Sequence, residues 1–240
     1  MMPLKLGARG AAVRKLQLSL DTHLPRHLHI RPDGEFGPAT ERAVIAFQRH
    51  RKLSPDGVAG ARTLLAWGFA AHAHVEVPDV LAQSLLQRAP WIAIAAAEFG
   101  VHRDLVAHHD RRIIEYLKTT TVPDAMAGTD STAWCSAFVN WVMIKSGRKG
   151  TNNAGAVSWL KWKHGSLSST PTPGAIVVIK KAGVSSDQFT GSSTGHHVGV
   201  CVASSSHSVR LLGGNQGSRV SFASFSLSTW TLKGAVWPTP

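Results

Sequence analysis

The chain has 240 residues, 43% of them hydrophobic, enough to fill one large core or a small and a medium one, which excludes disorder as its default state. A membrane-spanning helix needs about 18 uninterrupted apolar residues, and the nearest stretch, Pro90 to Val101, is broken by Glu98, so stable membrane insertion is excluded too. The net charge of +12 points to a polyanionic partner, but it is spread along the chain, eleven Lys and Arg against seven Asp and Glu in residues 1–80 and fifteen against seven in 81–240; the stripe or tail of a nucleic-acid reader is missing, and nucleic acid is set aside.

In chain order, Val13, Leu16, Gln17 and Leu20 have the spacing of a short helix. An internal repeat follows: Pro32-Asp33-Gly34-Glu35-Phe36-Gly37-Pro38-Ala39-Thr40 returns 23 residues later as Pro55-Asp56-Gly57-Val58-Ala59-Gly60-Ala61-Arg62-Thr63. Each copy reads as an Asp-Gly turn, a second glycine-dependent bend and a helix start. Ala43, Val44 and Phe47 supply a helix between them, so residues 1–70 are expected to form a small three-helix unit. Residues 71–87 read as a linker leading into a helix from Val80 to Arg88, and Pro90 to Val101 reads as a helix stopped by Gly100.

The next helix starts at Cys135. Asp130, Ser131 and Thr132 offer capping oxygens, Trp134, Ala137, Phe138, Trp141 and Val142 form an apolar stripe, and Gly147 closes it. Strands are expected at Ala175 to Lys180, Val198 to Ala203, Val209 to Leu212 and Leu232 to Trp237. Helices first and antiparallel strands second make residues 88–240 an α+β domain.

Cleaving an amide at neutral pH requires a strong nucleophile, a proton carrier and oxyanion donors. Cys135, His197 and Asn215 occur in the chain order of a thiolate nucleophile, its base and the residue that orients the base. The helix start is expected to lower the Cys135 pKa and to leave its backbone N–H for the oxyanion. Strand alternation places His197, Gly199 and Cys201 on one face, across which the Cys135 helix is expected to lie, so only one histidine of the His196-His197 doublet can meet the thiol. Gln216 is a candidate to assist the oxyanion or bind substrate, and Trp134, beside the nucleophile, a candidate to line a substrate groove. Cys201, mid-strand, reads as a buried bystander, without a disulfide to Cys135.

Two resemblances sharpen this. Residues 3–69, through Leu6-Gly7-Ala8-Arg9-Gly10, both Asp-Gly turns and Phe47-Gln48, closely resemble the peptidoglycan-binding domain found beside many cell-wall hydrolases, which implies a non-catalytic wall anchor. Residues 88–238, through Pro90-Trp91-Ile92, Trp134 to Trp141, Ser158-Trp159-Leu160, Pro173-Gly174-Ala175-Ile176-Val177-Val178, His197-Val198-Gly199 and Leu212-Gly213-Gly214-Asn215-Gln216, resemble a bacterial and phage branch of the CHAP and NlpC-type cysteine peptidases. That resemblance implies a papain-like fold and cleavage of a peptidoglycan amide, with the family's nucleophile, histidine and third polar residue falling on Cys135, His197 and Asn215.

The expected whole is an endolysin-like peptidoglycan hydrolase, acting as a monomer without a cofactor or metal. The start, Met-Met-Pro-Leu-Lys-Leu-Gly-Ala-Arg-Gly, lacks an apolar signal core and predicts synthesis in the cytoplasm, with action on the wall after release or delivery. A secreted antibacterial effector with the same chemistry and a non-catalytic wall-binding protein are the alternatives. Thirteen histidines, including His108-His109 and His196-His197, raise a zinc hydrolase, but no His-Glu-x-x-His or Cys-x-x-Cys occurs to support one.

Overall fold

The computed structural model describes residues 3–21, 30–73, 79–103, 110–123 and 132–239. Three helices come first, α1 (Ala11–Asp21), α2 (Pro38–His50) and α3 (Ala61–Ala73), and they explain the repeat. In each copy a buried glutamine from the preceding helix clamps the Asp-Gly turn. Gln17 accepts the Gly34 N–H at 2.9 Å, and its amide nitrogen stands 2.9 to 3.0 Å from Asp33 Oδ1, the Glu35 carbonyl and Thr40 Oγ1. Gln48 treats Gly57, Asp56, Val58 and Thr63 the same way, at 2.7 to 3.0 Å. Both turns need a positive φ, +82° at Gly34 and +72° at Gly57, which glycine adopts without strain.

Four more α-helices follow among the described residues: α4 (Asp79–Arg88), α5 (Trp91–Ala97), α6 (Arg111–Leu117) and α7 (Cys135–Lys145), then a 3₁₀ helix (Ala156–Lys161). The stretch read as a linker thus carries the end of α3 and most of α4, with 74–78 outside the described residues. Six strands, β1 (Gly165–Ser168), β2 (Ile176–Lys181), β3 (His196–Ser204), β4 (Ser208–Gly213), β5 (Ser221–Ser226) and β6 (Trp230–Pro238), form one sheet in the order β1-β6-β2-β3-β4-β5. Every pairing is antiparallel, and the class is α+β as expected. The two strands that were not expected, β1 and β5, lie at the sheet edges and are rich in serine, which reads as turn.

Helix α7 is not amphipathic in its setting: every residue from Cys135 to Met143 is buried, because it packs between the sheet and α5 and α6. It rests on the Val198, Val200 and Val202 face of β3, which corrects the expectation that it would cover the His197 face. The valines offer apolar surface to bury, whereas His197 and Gly199 do not. Cys201 lies with Val177, Ile179, Leu211, Phe225 and Trp230 on the opposite side of the sheet.

The N-terminal helices join the same core as the sheet. Trp67 of α3 meets Phe99 and Phe222 edge-on at 5.2 and 5.8 Å. Gly100 lets α1 approach, since a Cβ there would stand 2.5 Å from the Ala12 Cβ. Replacing either clamp residue, Gln17→Leu or Gln48→Leu, strands a buried glycine N–H and its neighbours; urea unfolding should show a loss of about 2–4 kcal/mol, and a loss under about 0.5 kcal/mol would show that the clamp is dispensable.

Candidate active site

Cys135 is the first residue of α7, as expected, but the cap differs: Trp134 holds that position with no side-chain hydrogen bond, and Asp130 and Ser131 lie outside the described residues. At the far end, Gly147 at φ +78° lets its own N–H reach the Ile144 carbonyl and that of Arg148 the Met143 carbonyl, a Schellman closure. The start of α7 is seated against the glycine pair after β4. A Cβ on Gly214 would lie 2.6 Å from both the Phe138 Cβ and the Trp134 ring.

The Cys135 thiol receives the backbone N–H of Val198, the residue after His197. This N–H is available because the β3–β4 ladder pairs Val200 with Leu212 and β4 ends at Gly213, before any residue could stand opposite Val198. Burial nevertheless dominates and pushes the thiol up to about 11, so the lowering expected from the helix start does not prevail. Both cysteines are free, and Cys201 is a buried thiol pushed up to about 12 by the same cause, as befits a bystander.

His197 is fully buried, its ring 5.3 Å from that of Phe225, and burial lowers its pKa to about 4 against the weaker opposing pull of Gln216 and Asp187. Its Nε2 lies 3.1 Å from Gln216 Oε1. The Gln216 amide nitrogen donates to the Ser221 carbonyl, which fixes which end of the amide faces the ring. An oxygen there can only accept, so Nε2 carries the ring proton and Nδ1, buried without a partner, keeps its lone pair. That is the tautomer a base needs. His196 is partly exposed, with Nδ1 3.3 Å from Thr194 Oγ1.

Two expected site residues are placed elsewhere. Asn215 sits at φ +59°, and its amide donates to the Thr190 carbonyl at 2.9 Å; the contact to the imidazole comes from its neighbour Gln216. The left-handed residue turns the chain, so adjacent side chains diverge and the longer one reaches the ring. Trp134 is fully buried, 5.9 Å from the Tyr116 ring, and a side chain with no exposed surface cannot line a groove.

Behind α7 lies a brace that the sequence motifs do not include. Glu98, 1% exposed, accepts from Arg112 at 2.6 and 2.7 Å and from Tyr116 Oη at 2.6 Å. Burial raises its carboxyl, but those bonds outweigh burial and hold it below the ordinary value. Tyr116 packs on Phe138 and Trp141, and Arg112 lies 4.4 Å over Trp141. The signal in the sequence was the lone acid in an apolar helix. On the other flank Ser136 donates to the Asn153 carbonyl at 2.7 Å and accepts from the Trp159 indole at 3.0 Å.

Among the described residues no three His, Cys, Asp or Glu side chains converge to hold a metal ion, and no helix is long and apolar enough to cross a membrane; His108 and His109 lie outside them. Residues 9–66 match the putative peptidoglycan binding domain, and residues 127–215 match the CHAP domain. The chain therefore joins a peptidoglycan-binding domain to a CHAP domain. A zinc D-Ala-D-Ala carboxypeptidase of Streptomyces albus G is 42% identical over 57 residues, 24% of this chain and 22% of that protein. The crystal structure of Burkholderia AP3 phage endolysin aligns at 27% identity over 52% of this chain and 51% of that one, with a TM-score of 0.27. This chain thus spans about a fifth of the one relative's length and about half of the other's.

The buried histidine has a pH consequence. Below its ordinary value of 6.5, the unfolded chain takes up a proton that folded His197 refuses until about 4, so stability falls as pH drops through that window. Between pH 7 and pH 5 the contribution is on the order of 1–2 kcal/mol. Urea unfolding of His197→Gln should show that much less pH dependence than the parent, and an unchanged dependence would mean that His197 is not held neutral.

Proposed function

We propose that this chain hydrolyses an amide bond of bacterial peptidoglycan, with the N-terminal domain as wall anchor, Cys135 as nucleophile and His197 as its base. The observation that carries this reading is the His197 ring, with one nitrogen tied to Gln216 and the other a buried unpaired lone pair, one residue from the N–H that holds the Cys135 thiol, inside the region that matches the CHAP domain. The anchor role draws its support from the match of residues 9–66 to a peptidoglycan binding domain.

In this mechanism thiol and imidazole both rest neutral, with no hydrogen bond between them, consistent with burial pushing one up and the other down. Substrate approach moves the proton from Sγ to Nδ1 as sulfur attacks the amide carbon. The imidazolium then gives that proton to the departing amine, leaving an acyl-thioester. Water, deprotonated by Nδ1, cleaves the thioester and restores the thiol. The Cys135 backbone N–H, at the first position of α7 where no intrahelical partner exists, supplies one oxyanion donor. Gln216 takes the orienting role by stabilising Nε2–H through both the neutral and the charged state of the ring, and Asn215 shapes the turn that presents it.

Clearing of purified peptidoglycan, followed by turbidity, tests the roles separately. Cys135→Ala should abolish clearing and still sediment with the wall. Gln216→Leu should cut turnover by about 10²-fold or more, whereas Asn215→Ala should act mainly on stability. Clearing by Cys135→Ala, or an Asn215→Ala variant that folds yet is as inactive as Gln216→Leu, contradicts the assignment. Mass spectrometry of the soluble fragments then separates a muramoyl-L-alanine cut from one within the stem peptide.

A further inference from the structure

Where the N-terminal helices touch the sheet, Lys15 of α1 lies close enough to Arg210 of β4 and to Arg219 of the turn after β4 to be repelled by both. Lys15 Nζ lies 5.3 Å from the Phe99 ring centre and the Arg210 guanidinium 5.8 Å from that of Phe222, while the two rings are 5.8 Å apart. Arg219 bridges to His102, in the short segment whose Gly100 receives α1. The three are graded in exposure: Arg210 is 9% exposed, Lys15 half-buried and Arg219 exposed, so the group opens to solvent at one end.

Nothing among the described residues neutralises them. The ion pairs there use other cations. Arg210 donates to Ser224 Oγ at 3.0 Å, but its buried Nε has no partner. Arg219 Nε donates to the Gly217 carbonyl at 3.3 Å. Aromatic faces offset part of the cost of gathering three like charges at a half-buried seam, yet they leave the Nε donor unsatisfied and the repulsion in place.

We propose that Lys15, Arg210 and Arg219 form a binding site for an oxyanion, a carboxylate or a phosphate, at the junction of the two domains. Such a ligand supplies the missing acceptor to Arg210 Nε and the missing negative charge to all three. Because Lys15 comes from the anchor domain and the arginines from the sheet, occupancy fastens one to the other. It also reaches the catalytic turn, since the Arg219 carbonyl accepts the Gln216 backbone N–H at 3.0 Å. Burial, with repulsion from both arginines, lowers Lys15 to about 8, in keeping with a cation that lacks its counter-charge. The site stands apart from the hydrolase reading and survives if that reading fails.

The test is thermal unfolding at pH 7 and fixed ionic strength, with sodium chloride exchanged stepwise for sodium phosphate or sodium acetate. The intact protein should show a saturable rise in Tm with at least one of the two anions. Response to phosphate identifies a phosphodiester-type ligand, and response to acetate a peptide carboxylate. The response should disappear in Arg210→Met and in Lys15→Met. The second change removes only the charge of a half-buried side chain, so it keeps the test decisive if the first variant folds poorly. Lys15→Met should also melt at or above the parent in chloride, because it relieves repulsion. No saturable response to either anion in the parent, or a full response in Lys15→Met, overturns the proposal.

Discussion

The amide of Gln216 sits between a strand and a histidine, and its two ends have opposite obligations. The nitrogen end is committed to the Ser221 carbonyl, which leaves only the oxygen for His197. That single constraint selects the ring tautomer, and the tautomer decides whether His197 can be a base at all. Much of the surrounding structure serves to keep the amide in place. The Gln216 backbone N–H is tied to the Arg219 carbonyl, and Gly213 leaves room beside the ring, since a Cβ there would stand 3.0 Å from Gln216 Oε1 and 3.3 Å from His197 Nε2. The next glycine, Gly214, admits the start of α7 with its Trp134 and Phe138. Side-chain network, glycine pair and helix seat form one unit.

The electrostatics of that unit are set by burial more than by dipoles. A helix start and a backbone N–H both favour a thiolate at Cys135, but the site is sealed, and desolvating a charge costs more than one dipolar contact returns. The same sealing keeps His197 neutral. Sealed in this way, both groups rest neutral, and no exposed thiolate awaits oxidation. The brace of Glu98, Arg112 and Tyr116 supports this from behind, fixing the aromatic bed of α7 with charge-assisted bonds.

Sequence patterning carried the architecture well where local chemistry and tertiary role agree. The repeated Asp-Gly turns are punctuation that no packing arrangement overrides, and their partners Gln17 and Gln48 lay in view as helix residues, although their clamp function needs three dimensions to be seen. Cys135 as a first-turn residue followed from periodicity, and the choice of His197 over His196 from its spacing to Val198-Gly199 in the family it resembles. What periodicity could not supply is which face of a two-sided sheet a helix covers, because strand alternation gives two sets of residues without saying which layer meets which. It also could not separate Asn215 from Gln216. Backbone handedness at one residue decides that, and a positive φ at an asparagine is permitted by its chemistry without being required. The serine-rich edge strands were hidden for a related reason, since an edge strand needs less apolar surface than a central one.

Gln216 and burial hold His197 as a neutral imidazole protonated at Nε2, and the tautomer is directly observable. Long-range ¹H–¹⁵N correlation spectra of the histidine-labelled protein at pH 7 should show one buried ring whose Nε2 bears the proton and whose Nδ1 has the shift of an unprotonated nitrogen. A His197 ring protonated at Nδ1, or at both nitrogens, would contradict it, because the Gln216 oxygen would then not be the atom that sets the base.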